Sequence, residues 1–136
     1  MRDRNHGLKL RSQGSALPPM FRLYMYDGCS SCRRARNFLE EKGIDFEEIP
    51  IREKPPTRSE LRRMAEFQGG DLKKLFNTSG GTYRNLGLSE RMAILTVAQK
   101  INLLATHGNL VKRPFLIGND VGLVGFRGDR WKDALL

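Results

Sequence analysis

Cys29 and Cys32 are the only two cysteines of the chain, and they stand three residues apart in Tyr-Asp-Gly-Cys-Ser-Ser-Cys. That spacing suits a redox-active thiol pair, half of a zinc site, or two cysteines that are merely buried. A sulfur attacks as a thiolate, so its surroundings decide between these readings. A helix that begins at Cys29 would offer unpaired N–H groups and the positive end of its dipole, both favouring the anion. Arg33, Arg34 and Arg36 follow at once and add positive charge. Zinc usually takes four ligands, and the remaining candidates, His6 and His107, are far apart and unpatterned. No metal site is expected, and the pair reads as a redox or nucleophilic centre.

Such a centre needs a strand, a turn and a helix. Residues 21–26 are aromatic and apolar with one arginine, short enough for a buried strand. Asp27-Gly28 ends that run with turn chemistry. Cys32, Ala35, Phe38 and Leu39 then fall on one helical face, and Gly43 stands where a helix takes a left-handed C-terminal residue. Residues 44–51 read as a second strand, parallel to the first because a helix crosses between them.

After this unit the chain turns helical over residues 57–107. Thr57 and Glu60 have capping-box spacing ahead of Leu61, Met64, Ala65 and Phe67, and Gly69-Gly70 closes that helix. Asp71 caps a short helix that turns Leu72, Leu75 and Phe76 inward. Residues 77–88 are too rich in Gly, Thr and Asn for a regular helix. One helix is expected from Ser89 to about residue 106, with Met92, Leu95, Val97, Ala98, Ile101, Leu104 and Ala105 on its apolar face. Strands at 115–117 and 121–124 flank Gly118-Asn119-Asp120, a hairpin turn, and a last helix over 130–135 turns Trp131, Ala134 and Leu135 inward. The order βαβ, helical insertion, ββα is an α/β, thioredoxin-like plan with a four-stranded mixed sheet. Its core covers residues 20–52 and 110–136.

The chain's 136 residues allow one domain, residues 20–136. Net charge is +9; Arg2, Arg4, Lys9 and Arg11 against Asp3 place +3 in residues 1–19 and leave +6 for the rest. This basic leader has little to bury and is expected to be disordered. It lacks the apolar segment of a secretory signal, and no apolar run approaches the ~20 residues of a membrane span. A lone reactive pair suits a reducing, cytoplasmic setting. No helix-turn-helix, zinc finger or aromatic RNA-binding signature appears, so direct nucleic-acid binding is not expected despite the charge. The arginines to locate are Arg84, Arg113 and Arg127, each in an expected loop or strand end. The guanidinium fork suits two-point capture of an oxyanion.

The motifs YDGCSSCRRARNFLEEKGIDFEE, LKKLFNTSGGTYRNLGL, LVKRPFLIGN and VGFRGDRWKDAL, in this order and spacing, resemble the arsenate reductase / Spx family of thioredoxin-like proteins. The resemblance implies a cis-proline at Pro114. It also implies that Cys29 attacks an oxyanion held by Arg84, Arg113 and Arg127, with no bound cofactor and with electrons from glutathione and glutaredoxin. Cys32 is a departure, since glutaredoxin-coupled members typically lack it. As a resolving thiol it would form a disulfide with Cys29, and thioredoxin then becomes an alternative donor. The Cys-x-x-Cys is closer to Spx, a redox-sensing regulator that binds the RNA polymerase α subunit. The expected function is therefore an arsenate reductase-like thiol oxidoreductase. The alternatives are an Spx-like redox switch and a general disulfide reductase.

Overall fold

The computed structural model describes residues 20–136; the expected disordered leader, residues 1–19, lies outside the described residues. Side chains alternate along a strand, and in β1 (Phe21–Met25) this sends Leu23 and Met25 to one face and Tyr24 to the other. The helix α1 (Ser30–Glu41) buries Cys32, Ala35 and Leu39 on the first face. It ends at Lys42, and Gly43 follows at φ +68°, a conformation in which a Cβ would be strained. β2 (Phe46–Pro50) then pairs parallel with β1, Phe21 opposite Phe46. β3 (Phe115–Ile117) runs antiparallel on the other side of β1, and β4 (Gly122–Val124) antiparallel to β3. The resulting order, β2-β1-β3-β4, is the expected mixed sheet of a thioredoxin-like fold. The hairpin closes through the Gly118 N–H on the Val121 carbonyl at 2.9 Å.

Each face of the sheet carries its own core. α1 and the C-terminal α6 (Gly128–Leu135) cover one, packing Leu39, Phe46, Leu116 and Trp131 together. α6 starts two residues earlier than expected, its Ala134 is exposed, and the Trp131 indole donates to the Gly125 carbonyl at 2.9 Å. The helical segments between β2 and β3 cover the other face, around Tyr24, Ile49, Phe115 and Ile117. Burying one such apolar side chain contributes roughly 1.5–3 kcal/mol, so both layers are needed to hold a short four-stranded sheet.

Within those segments α2 (Arg58–Phe67) begins with the expected capping box between Thr57 and Glu60. Glu60 does more than cap. It is buried, accepts the Tyr24 hydroxyl at 2.6 Å and pairs with Arg22 Nε at 3.3 Å, tying the start of α2 to β1. A 3-10 turn (Leu72–Leu75) follows, capped by Asp71. Two expectations fail beyond it. The Gly-, Thr- and Asn-rich stretch holds a one-turn helix, α3 (Gly81–Asn85), because buried Tyr83 packs its ring 6.3 Å from that of Phe76 and tertiary contact overrides propensity. The single long helix is instead two, α4 (Leu88–Arg91) and α5 (Val97–Thr106). Thr96 and Gln99 form a second capping box that starts α5 afresh, leaving Val97 61% exposed rather than on an apolar face. Among the described residues, no helix is long and apolar enough to cross a membrane.

Candidate functional site

The turn after β1 and the first turn of α1 build the site. Cys29 is the N-cap of α1, and its sulfur accepts the Cys32 backbone N–H at 3.3 Å. Ser31 Oγ lies 3.3 Å from the same sulfur. The Cys32 thiol also hydrogen-bonds to it. Partial burial alone would raise the Cys29 pKa, but these donors and the charge of Arg113 outweigh it and hold the thiol below its ordinary value. Cys32 goes the other way. It is fully buried, and burial together with its bond to Cys29 pushes its thiol up to about 12. The pair is thus split into an acidic, half-exposed sulfur and a buried thiol that keeps its proton, and both are free of a disulfide.

Cys29 opens into a cleft of about 640 Å³. Among the described residues, five cationic ones line it (Lys74, Lys112, Arg113, Arg127 and Arg130), and none of the lining residues is acidic. Its two walls are laced together by backbone. The Asn77 N–H donates to the Leu110 carbonyl at 2.7 Å, and the Lys112 N–H to the Leu75 carbonyl at 2.8 Å. Buried Gln68 adds a side-chain tie from α2 to the Gly122 carbonyl at 3.0 Å. Arg113 reaches it from the residue before Pro114, and the Arg113–Pro114 peptide bond is cis. Its Nη1 is buried and makes no hydrogen bond among the described residues. A buried N–H without a partner is costly, which suits a group that receives an anion.

A model of the family described as ArsC matches residues 24–134. The chain belongs to the ArsC family. It is 42% identical over 110 residues to YusI of Bacillus subtilis (strain 168), itself described as uncharacterized, covering 81% of this chain and 93% of YusI. A crystal structure described as that of a possible arsenate reductase from Streptococcus mutans UA159 superposes with a TM-score of 0.75 at 41% identity, over 80% of this chain and 92% of that one. The global transcriptional regulator Spx of Streptococcus mutans is 27% identical over 110 residues, 81% of this chain and 79% of its own.

In this ArsC-family chain the arginines divide. Arg113 and Arg127 line the cleft with Cys29. Arg127 stands at its rim, largely exposed and 3.9 Å from Asp129. Arg84 is not among the lining residues; it is exposed, and its Nη1 donates to the Ser79 carbonyl at 2.9 Å, back along its own segment. Two of the three arginines expected to favour the thiolate, Arg33 and Arg36, are engaged elsewhere. Arg33 donates to the Asp27 carbonyl, and Arg36 pairs with Asp27 at 3.1 Å and Glu48 at 3.2 Å. The charge that acts on Cys29 comes from Arg113, across the cleft. Ser31, Lys74, Lys112 and Arg130 escaped sequence reasoning. Only Ser31 carried a signal, a hydroxyl between the two cysteines. Among the described residues no three His, Cys, Asp or Glu side chains gather as metal ligands would.

Proposed function

We propose that this chain is a thiol oxidoreductase acting on an arsenate-like oxyanion. The observation that carries the reading is the hydrogen-bonded Cys29 sulfur facing a cleft lined, among the described residues, by cations and no acid. In the proposed reaction the Cys29 thiolate attacks As(V), a sulfur–arsenic bond forms, and one arsenate oxygen leaves as water after protonation. Cys32 gives up its proton to the bound oxyanion and attacks the Cys29 sulfur. The sulfur–arsenic bond breaks with its electron pair on arsenic, releasing As(III) as arsenite and leaving a Cys29–Cys32 disulfide. Glutathione with glutaredoxin, or thioredoxin, returns the two electrons in a reducing cytoplasm. Arg113 and Arg127 bind the oxyanion, and Arg84 has no direct part.

The test is arsenate-dependent NADPH consumption by the purified chain, supplied with glutathione and glutaredoxin or, separately, with thioredoxin and its reductase. Turnover lost in Cys29→Ser and reduced in Arg113→Lys, but kept in Arg84→Ala, is expected. Silence with both donors overturns the reading. A second reading is favoured by the relatives named Spx and by the hydrogen-bonded thiol pair. On it, the Cys29–Cys32 disulfide is a switch, and the partner is the RNA polymerase α subunit. Capture of that subunit by the reduced or the oxidised form only, with no arsenate turnover, would support this alternative.

A further inference from the structure

Tyr26 is the residue between β1 and the Asp27-Gly28 turn, and two guanidinium groups lie over its ring. The central carbon of Arg113 is 4.9 Å from the ring centroid and that of Arg52 is 3.7 Å. The ring also lies against the turn that delivers Cys29. A Cβ on Gly28 would come within 2.8 Å of Tyr26 Cε1, so only glycine lets ring and turn approach so closely. Arg52 reaches the ring from the end of β2, Arg113 from the start of β3, and Cys29 follows three residues after Tyr26. Three separate stretches of chain thus meet at one aromatic side chain.

A guanidinium can be held in place in two ways. A carboxylate would hold it by its N–H groups, neutralising its charge and consuming its donors. A ring face holds it through its flat surface and leaves the N–H groups, which lie in the guanidinium plane, open to a ligand. Arg113 fits the second. Among the described residues no carboxylate pairs with it, and its buried Nη1 has no hydrogen-bond partner. We propose that Tyr26 is a positioning residue for oxyanion capture, its ring face holding the Arg113 fork in the Cys29 cleft with the donors free. Arg52, closer to the ring, fixes the platform itself. This inference rests on the oxyanion reading and adds the residue that makes Arg113 competent for it.

The experiment uses the full chain under reducing conditions and inorganic sulfate as the probe. Iodoacetamide modification of Cys29 is followed by mass spectrometry at graded sulfate concentrations in the unsubstituted chain, Tyr26→Phe and Tyr26→Leu, with thermal melting alongside. Sulfate should protect Cys29. Tyr26→Phe keeps the ring face and should need about the same sulfate, whereas Tyr26→Leu should need about three- to tenfold more, the scale of one cation–π contact. Pentafluorophenylalanine at position 26 keeps the ring's shape while reversing its charge distribution. It should behave like leucine, which keeps the proposal testable if Tyr26→Leu melts early. Equal protection of the unsubstituted and pentafluoro chains overturns the proposal and leaves the oxyanion reading standing. Absence of sulfate protection in the unsubstituted chain overturns both.

Discussion

The proposed division of labour between the two sulfurs requires that Cys32 keep its proton until the oxyanion is bound, and that requirement leaves a mark on stability. Burial and the bond to Cys29 raise the Cys32 thiol to about 12, whereas a free thiol titrates near 8.5. The folded chain therefore holds this proton after the unfolded chain has lost it. The resulting stabilisation is complete below the unfolded value and declines as pH rises toward the folded one. Each pH unit in that window removes at most about 1.4 kcal/mol, so the loss from Cys32 between pH 8.5 and 10 should be on the order of 1–2 kcal/mol. Cys29 contributes with the opposite sign. Its lowered value stabilises the fold above the unfolded pKa, and that gain is lost as pH falls through the folded one. Tyr24, raised by burial and by Glu60, follows the Cys32 pattern only as pH nears the ordinary phenol value of about 10. Urea unfolding under a phosphine reductant, from about pH 7.5 to 10, should show the decline. Cys32→Ala should be less stable at neutral pH, through its lost packing, yet decline less, by on the order of 1–2 kcal/mol across the window. Parallel curves for the two proteins would refute a buried, protonated Cys32, and with it the separation of an attacking sulfur from a resolving one.

The Ser31 hydroxyl is one neutral donor to a half-exposed sulfur, at 3.3 Å. Ser31→Ala should slow iodoacetamide modification of Cys29 near neutral pH by about two- to tenfold, the range of one modest hydrogen bond. The two rates should converge at high pH, where both sulfurs are ionised. Glu60→Ala removes a capping contact and leaves the buried Tyr24 hydroxyl without its 2.6 Å acceptor. Urea unfolding should show a loss of about 3 kcal/mol, recovered in part when Tyr24→Phe is added.

The sheet and both cysteines were legible in the sequence because they depend on local signals. An apolar run, a Gly turn and a helical face around Cys32, Ala35 and Leu39 suffice to place Cys29 at a helix start. The break between α4 and α5 was also written there, in the capping-box spacing of Thr96 and Gln99, but the run of apolar residues from Met92 to Leu104 concealed it. The walls of the cleft were not legible. Lys74 and Lys112 face one space only because the chain at Leu75 and Asn77 is stitched to that at Leu110 and Lys112, a long-range pairing that leaves no local pattern. Arg84 shows the limit of a motif: matching residues place it on α3, whereas its side chain folds back onto Ser79. Arg113 shows the converse. Its ring partner Tyr26 read as one more apolar residue of a strand.

Because Cys29 is the N-cap of α1, the atom proposed to react is also the atom that fastens the helix. On the proposed mechanism, a sulfur bonded to arsenic, or to Cys32, no longer carries the thiolate charge that draws in the Cys32 N–H. On that mechanism each covalent state of the sulfur alters the cap on the first turn of α1, and the helix runs from there along the core past Ala35 to Leu39. The proposed chemistry at Cys29 and the capping of a twelve-residue helix thus meet at one atom.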